Sequence, residues 1–149
     1  MLFISHRGNL AGPSSLENTP SQIDIVLQKS IDCEVDIWTQ NGKFKLGHDF
    51  GKYPVSKDWL LDRKKHLWIH CKNAESIQVL SKLKTNDLNF FWHQKDDYTI
   101  TSLGYIWIYP GHELISGGIA VLPEKWLVEE QRLPKELLFG VCSDYIKFR

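Results

Sequence analysis

Four polar clusters in the first third of the chain contain the residue types that metal-assisted phosphate chemistry needs. Carboxylates bind hard divalent cations, an arginine fork holds a phosphate, and paired histidines exchange protons near neutral pH. The spacing of apolar residues predicts that these clusters lie at or near strand ends. They are His6-Arg7, Glu17-Asn18, Glu34-Val35-Asp36 and His48-Asp49.

The spacing within two predicted strands adds to this indication. Glu34 and Asp36 are two positions apart, so both carboxylates point to one side of their strand and can reach one cation. His70 and Lys72 have the same spacing at the end of the next strand. Lys72 is predicted either to contact a phosphate or to pair with Glu34. His70 is predicted to be either a metal ligand or a hydrogen-bonded interior histidine.

Apolar runs of strand length must position these clusters. Most of the runs are continuous rather than alternating, which is typical of parallel strands buried on both faces. The predicted strands are Leu2–Ser5, Cys33–Trp38, Leu67–Cys71, Leu88–Trp92, Tyr105–Tyr109, Ile119–Leu122 and Leu137–Cys142.

Helix signals appear mainly in the first half of the chain. Thr19 followed by Pro20 predicts a capped helix to about residue 29, and Asn73 predicts a cap for a helix over about 74–83. Asn41-Gly42 predicts a hairpin turn into a short strand over 43–46. Short helical turns are predicted at Thr99–Leu103 and near Lys125–Glu130.

This alternation of strands and helices predicts one α/β domain over residues 1–149. A (β/α)8 barrel usually needs roughly 200–250 residues. The predicted fold is therefore a compact TIM-type (β/α) barrel in which helices of the second half are shortened or missing. The carboxyl ends of barrel strands share one mouth, so the polar clusters should converge there.

The second half contributes further candidates at this mouth. His93 follows the fourth main strand and Tyr109 ends the fifth, so both are predicted to contact a substrate. His66 precedes its strand and should lie at the opposite end of the sheet, whereas His112 is predicted to be a loop histidine.

The ordered motifs resemble those of the glycerophosphodiester phosphodiesterase family, a branch of the phospholipase-C-like phosphodiesterases. The resemblance covers roughly residues 3–50 and extends more weakly to Lys72 and to Cys142-Ser143-Asp144. The matching motifs are His6-Arg7-Gly8, Glu17-Asn18-Thr19, Glu34-Val35-Asp36 and Gly47-His48-Asp49.

The resemblance implies a hydrolase of glycerophosphodiesters or related sugar or glycerol phosphodiesters. His6 and His48 would form the acid/base pair, Arg7 and Asn18 would contact substrate, and Glu17, Glu34 and Asp36 would bind a divalent metal. The family usually carries Glu-x-Lys on the third strand, where this chain has His70-Cys71-Lys72. Calcium or magnesium is the expected ion, and an imidazole ligand makes manganese or zinc the alternatives.

Two alternatives accompany these assignments. Arg7 could form a structural ion pair with Glu17 or another acidic residue instead of holding a phosphate. The protein could also be a catalytically impaired relative that binds a phosphate ligand or regulates another protein, because the third-strand Glu is replaced.

Composition limits the classes of partner. The 18 basic and 18 acidic residues give a formal net charge of zero, which disfavours non-specific nucleic-acid binding. Three cysteines outside any CxxC motif predict buried free thiols, and no apolar run is long enough for a membrane span. We expect a cytoplasmic protein acting on a small phosphodiester. A reduced helical layer would leave apolar sheet surface that a second copy of the chain could cover.

Overall fold

The computed structural model describes residues 1–83, 85, 87–127 and 132–146. In these residues the sheet is built from ten strands, accompanied by three short helices and one 3-10 turn. In chain order they are β1 (Leu2–His6), α1 (Pro20–Gln28), β2 (Asp32–Gln40), β3 (Lys43–Leu46), β4 (Tyr53–Val55), α2 (Lys57–Arg63), β5 (Leu67–Cys71), α3 (Ala74–Lys82), β6 (Phe90–Trp92), β7 (Tyr98–Ile100), β8 (Ile106–Ile108), β9 (Gly118–Val121), the 3-10 turn Pro123–Lys125 and β10 (Gly140–Ser143).

These strands form one curled mixed sheet. Parallel ladders join β6, β5, β2, β1, β10, β9 and β8 in that order. The strand β7 adds to β8 in the antiparallel direction. The hairpin of β3 and β4 extends antiparallel from the carboxyl half of β2. The eight strands from β6 round to β7 thus form a half-barrel with the hairpin attached outside it.

The prediction of a TIM-type barrel is wrong. A TIM barrel alternates helix and strand throughout, whereas α1, α2 and α3 all precede β6 in the described chain. Between β6 and β8 the described chain forms the antiparallel strand β7 instead of a helix, and no ladder joins β6 to β7 or β8 there. Continuous apolar runs report that strands are buried, but they do not report what covers the strands, which explains the error.

The predicted caps of two helices are confirmed. The Thr19 side chain accepts a hydrogen bond from the Gln22 amide, and the Asn73 side chain accepts one from the Ser76 amide. The helix α2, capped by Ser56, was not predicted. Part of the predicted turn at Thr99–Leu103 is strand β7, and the turn predicted near Lys125 is the 3-10 segment, whereas residues 128–130 lie outside the described residues.

Three apolar clusters hold the sheet, and the third consists of Ile108, Ala120, Leu138 and Val141. The first two are layers on opposite faces of the sheet. One lies between its convex face and the helices and includes Ile23, Val26 and Val35. The other fills the concave face with the side chains of Ile4, Trp68, Phe91, Trp107, Ile119, Val121, Leu122 and Cys142. The three cysteines are free and buried, as predicted. No helix in the described ranges combines the length and apolarity that crossing a bilayer requires.

The concave apolar layer lies next to a set of polar side chains from the same strands. Alternate residues of a strand share a face. The residue two positions after an apolar residue of the concave face therefore lies on that same face, closer to the carboxyl end of the strand. Ile4 is thus followed by His6, Trp68 by His70, Phe91 by His93, Trp107 by Tyr109 and Cys142 by Asp144. A polar layer therefore covers the aromatic one at the carboxyl end of the sheet.

Candidate functional site

Strand register brings the predicted acidic and imidazole groups together. In the parallel ladders His6 is the Cα partner of Glu34, and Asp36 is the partner of His70. Paired residues in a ladder point to the same face, so four groups from β1, β2 and β5 meet on the concave side. Glu34 and Asp36 are both almost completely buried there.

Asp36 is held from several sides. Asn18 donates from Nδ2 to Asp36 Oδ2 at 3.0 Å, and its Oδ1 accepts the Asp36 amide at 2.9 Å. Arg7 Nε lies 2.9 Å from the same Oδ2, and Lys72 Nζ lies 3.5 Å from Oδ1. The Asn18 side chain, predicted to contact substrate, is buried and orients Asp36. Lys72 pairs with Asp36 rather than with the predicted Glu34.

His70 faces both carboxylates through one ring nitrogen. Its Nε2 lies 2.7 Å from the His93 carbonyl oxygen, which can only accept, so Nε2 carries the proton. Its Nδ1 lies 3.2 Å from Asp36 Oδ1 and 3.8 Å from Glu34 Oε1. In the neutral tautomer Nδ1 is an acceptor facing other acceptors, so a proton or a cation must lie between them. Asp36 Oδ1 is buried and has no hydrogen-bond partner in the described residues.

The geometry fits a divalent cation. One ligand atom each from Glu34, Asp36 and His70 lies within 4.8 Å of the others. A backbone carbonyl that accepts the second ring N–H is the usual support of a metal-binding histidine. Glu17, predicted as a fourth ligand, is not part of this group.

Burial and neighbouring charges shift the pKa values of Glu34 and Asp36 in opposite directions. Burial raises the pKa of Glu34 above its usual value, and the neighbouring Asp36 adds to the effect. Burial alone would also raise the pKa of Asp36, but His70, Arg7 and Lys72 outweigh it and hold that pKa well below its usual range. Asp36 is therefore ionised, whereas burial and the charge of Asp36 disfavour the ionised form of Glu34.

Arg7 contacts three carboxylates of the site and also lines the cavity. Its Nη1 donates to Glu17 Oε2 at 3.4 Å, and its amide donates to Glu34 Oε2 at 3.2 Å. Its φ of 55° is in the left-handed region, which a long side chain rarely adopts. The ion pair with Glu17 that sequence left as an alternative is thus present, and Arg7 also lines the cavity.

His6 is oriented by a carboxylate from the last strand. Its Nδ1 lies 2.6 Å from Asp144 Oδ1, which also accepts from Asn9 Nδ2 at 2.8 Å. Burial opposes the ionisation of Asp144, but the hydrogen bonds from His6 and Asn9 lower its pKa below the usual value. An ionised Asp144 fixes the proton on Nδ1 and leaves His6 Nε2 as the exchanging atom.

His48 has a similar arrangement in a more open position. Its Nδ1 lies 2.6 Å from Asp49 Oδ1, and its side chain is 45% exposed. Gly47 makes this turn: its φ is 147°, and an added Cβ would lie 2.2 Å from the Phe50 carbonyl oxygen. The second predicted acid/base residue thus reaches the site from the hairpin rather than from the half-barrel.

One cavity of about 300 Å³ joins these groups. Its wall on β1, β2, β5 and the hairpin is charged or titratable, with His6, Arg7, Glu34, His48, His70 and Lys72. Its other wall comes from β6, β8, β9 and the residues after them, and includes Trp92, His93, Trp107, Tyr109, Val121 and Leu122. The predicted substrate residues Lys72, His93 and Tyr109 therefore all line one space.

His93 is unusual among the cavity residues. It is only 8% exposed, and neither ring nitrogen has a hydrogen-bond partner in the described part of the chain. Burial, followed by the nearby His70, lowers its pKa to about 4, so the ring is neutral near pH 7. Its ring centroid lies 5.2 Å from that of Tyr109.

Sequence reasoning named Asp49 and Asp144 within their motifs but gave neither a role, and it missed Asn9. Asp144 directly follows β10, so the strand-end argument that selected His6 could have selected it too. Asn9 carried no signal, because its importance depends on a bond to a residue 135 positions away. His66 lies at the start of β5 and pairs with Asp32, away from the cavity, as predicted.

Comparisons of the chain with models of protein families, with curated proteins and with solved structures found no match.

Proposed function

We propose that this protein is a phosphodiesterase that uses a divalent cation held by Glu34, Asp36 and His70. The four ordered motifs that resemble the glycerophosphodiester phosphodiesterases support this proposal, together with the cavity that residues of three of these motifs line. The substrate class is a small phosphodiester of glycerol or a sugar. When bound, the cation would polarise a phosphoryl oxygen and balance its developing negative charge.

One observation carries the proposal: the approach of His70 Nδ1 to Asp36 Oδ1 at 3.2 Å, with Nε2 anchored on a carbonyl. Two buried acceptors at this distance repel each other unless a positive charge lies between them. A proton would satisfy Asp36 and His70 alone. A divalent cation also balances Glu34, whose buried charge is otherwise costly.

The other residues supply binding and proton transfer. Arg7 and Lys72 place positive charge beside the cation group, where they can share a phosphate. Asp144 and Asp49 each hold a histidine by Nδ1, which leaves two Nε2 atoms for proton exchange. One histidine accepts the proton of the attacking hydroxyl group, and the other protonates the departing alkoxide.

The test is turnover of bis(p-nitrophenyl) phosphate by the purified chain. Calcium, magnesium, manganese and zinc are added singly after chelator treatment, and a metal-free sample is the blank. We expect turnover with at least one ion, and its loss in both Asp36→Asn and His70→Ala. The matched control is His66→Ala, which changes an exposed histidine at the far end of the sheet.

Two results would separate the alternatives. Metal-dependent turnover that survives Asp36→Asn would show that the cation acts elsewhere. Metal binding without turnover of this substrate or of glycerophosphodiesters would instead favour a protein that binds a phosphate ligand without cleaving it.

A further inference from the structure

One face of the ribbon formed by β2, β3 and β4 is exposed to solvent and carries basic side chains. Ladder partners share a face, and Ile37, Phe44 and Leu46 direct the other face of this ribbon into the core. The exposed face, named the outer face, consists of the ladder partners Trp38, Gln40, Lys43, Lys45 and Pro54. Three of these residues are exposed and none is fully buried. Two grooves of about 400 and 500 Å³ are lined in part by this face, and Lys43 and Lys45 belong to both.

Phe50 adds an exposed aromatic side chain to the outer face. It is 64% exposed and lines the same groove as Trp38 and Lys45. The turn that carries Phe50 is anchored to the ribbon, because the Trp38 indole N–H donates to the Gly47 carbonyl oxygen at 2.8 Å. Gly51 lets the turn pass close to the outer face, since an added Cβ there would lie 2.8 Å from the Lys45 Cβ. An anchored turn thus holds an apolar ring in water beside two lysines.

The lysines of this region lack acidic partners. Residues 43–57 contain four lysines and one acidic residue, so the segment has a net charge of +3 in a chain whose net charge is zero. None of these lysines takes part in a salt bridge among the residues described; they are Lys43, Lys45, Lys52 and Lys57. The acidic residue, Asp49, pairs with His48, and Glu75 at the border of one groove accepts the Gly42 amide at 2.8 Å. Unpaired cations around an exposed aromatic ring indicate an anionic partner.

The shape of the outer face favours an anionic bilayer as that partner. Its residues come from three adjacent strands, so its lysines are presented over a broad surface rather than along one channel. Lysine carries its ammonium group on a long apolar stem, which lets it reach lipid phosphates while a neighbouring aromatic ring enters the headgroup region. Single-stranded nucleic acid is bound by successive exposed rings, whereas the described residues of this face expose one, Phe50, and keep Trp38 half-buried.

We propose that the outer face and Phe50 form a docking surface for the headgroups of an anionic phospholipid bilayer. Lys43, Lys45 and Lys57 contact lipid phosphates, and the Phe50 ring enters the boundary between headgroups and acyl chains. The turn that carries Phe50 also carries His48, whose side chain lines the cavity of the candidate site, so docking places that cavity beside the lipid surface. The inference does not depend on the proposed hydrolysis.

The test is co-sedimentation of the purified chain with lipid vesicles at low ionic strength. One set of vesicles contains phosphatidylglycerol and phosphatidylcholine in equal parts, and the other contains phosphatidylcholine alone. We expect binding to the anionic vesicles to be at least ~10-fold stronger than binding to the neutral ones. Added salt should weaken this binding, because it screens the attraction between lysines and lipid phosphates.

Lys43→Gln combined with Lys45→Gln should weaken binding to the anionic vesicles by ~10-fold or more. The matched control is Lys29→Gln combined with Lys82→Gln, which removes the same charge from exposed positions at the ends of α1 and α3 and should change binding little. The comparison separates the outer face from a general effect of net charge.

Phe50→Ser should also weaken binding, and Phe50→Leu should retain it, because the surface needs an apolar side chain at this position. Ile25→Ser changes an exposed apolar residue of α1 and is the control. Equal binding to both kinds of vesicle, no binding to either, or anionic binding that survives the paired lysine substitution or Phe50→Ser would each overturn the inference. Tighter binding of single-stranded DNA than of anionic vesicles through the same lysines would overturn it in favour of a nucleic-acid partner.

Discussion

His6 Nδ1 and Asp144 Oδ1 lie 2.6 Å apart, although 138 positions separate the two residues in the chain. The parallel pairing of β1 with β10 creates this contact, because it places the carboxyl ends of the first and last strands side by side. Asp144 does not line the cavity, whereas His6 does. In the proposed reaction Asp144 is therefore a positioning residue that acts through His6.

Asp144→Asn should lower kcat by about 10²-fold or more, because a neutral amide no longer holds the imidazole in the productive tautomer. The limb of the pH–rate profile that His6 controls should change with it, which simple loss of structure would not cause. Adding Asp144→Asn to His6→Ala should cost little more than His6→Ala alone. Additive losses in this double-mutant cycle, measured by steady-state kinetics, would contradict the assignment.

The two histidines with an Nδ1 carboxylate partner should both be needed for turnover. His6→Ala and His48→Ala are each expected to lower kcat by at least ~10²-fold, as removal of a general acid or base does. His112→Ala serves as the control, since that histidine does not line the cavity. Rates near that of the unaltered protein in either His6→Ala or His48→Ala would remove that residue from the acid/base pair.

His70 should decide which ion the site prefers. An imidazole ligand favours manganese or zinc, whereas an all-oxygen site favours calcium. His70→Glu should therefore lower the affinity for zinc and raise it for calcium, measured by titration calorimetry without substrate. His70→Ala should weaken zinc binding without any gain for calcium. An unchanged order of affinities in His70→Glu would show that His70 is not a ligand.

The buried Glu34 carboxylate should lower the stability of the metal-free protein near pH 7 and should be needed for metal binding. Its pKa is raised in the folded state, so its contribution to stability is complete below the unfolded pKa of about 4.3 and is lost as pH rises through the folded value. Glu34→Gln removes this loss. In the presence of a chelator, this variant should therefore have a Tm at pH 7 a few degrees above that of the unaltered protein, since about 1 kcal/mol of stability corresponds to about 2–4 °C. The difference in Tm should decrease as the pH is lowered to 5.

The same Glu34→Gln variant should lose most of the rise in Tm that saturating manganese gives the unaltered protein, since that rise reflects metal bound to the folded state. The exposed Glu136→Gln is the control for both measurements. A lower Tm of Glu34→Gln at pH 7 without metal would mean that the buried charge is already balanced by Arg7 and the histidines.

Local sequence signals located most of the elements but not their arrangement. The caps at Thr19 and Asn73, the turn at Asn41-Gly42 and the apolar runs were readable because each depends on neighbouring residues. The TIM-type barrel was inferred from the same runs, and that inference was wrong. Whether a strand is covered by a helix, and whether Tyr98–Ile100 pairs antiparallel with β8, depends on distant partners.

The same division holds within the candidate site. The i, i+2 spacing of Glu34 and Asp36 determined that both carboxylates share one face, because side chains alternate along any strand. Only the tertiary structure decided that Asn18 orients Asp36, that Asp144 orients His6 and that the ring nitrogens of His93 have no partner among the described residues. Those relationships arise from strand register and sheet curvature, which bring residues far apart in the chain within hydrogen-bonding distance.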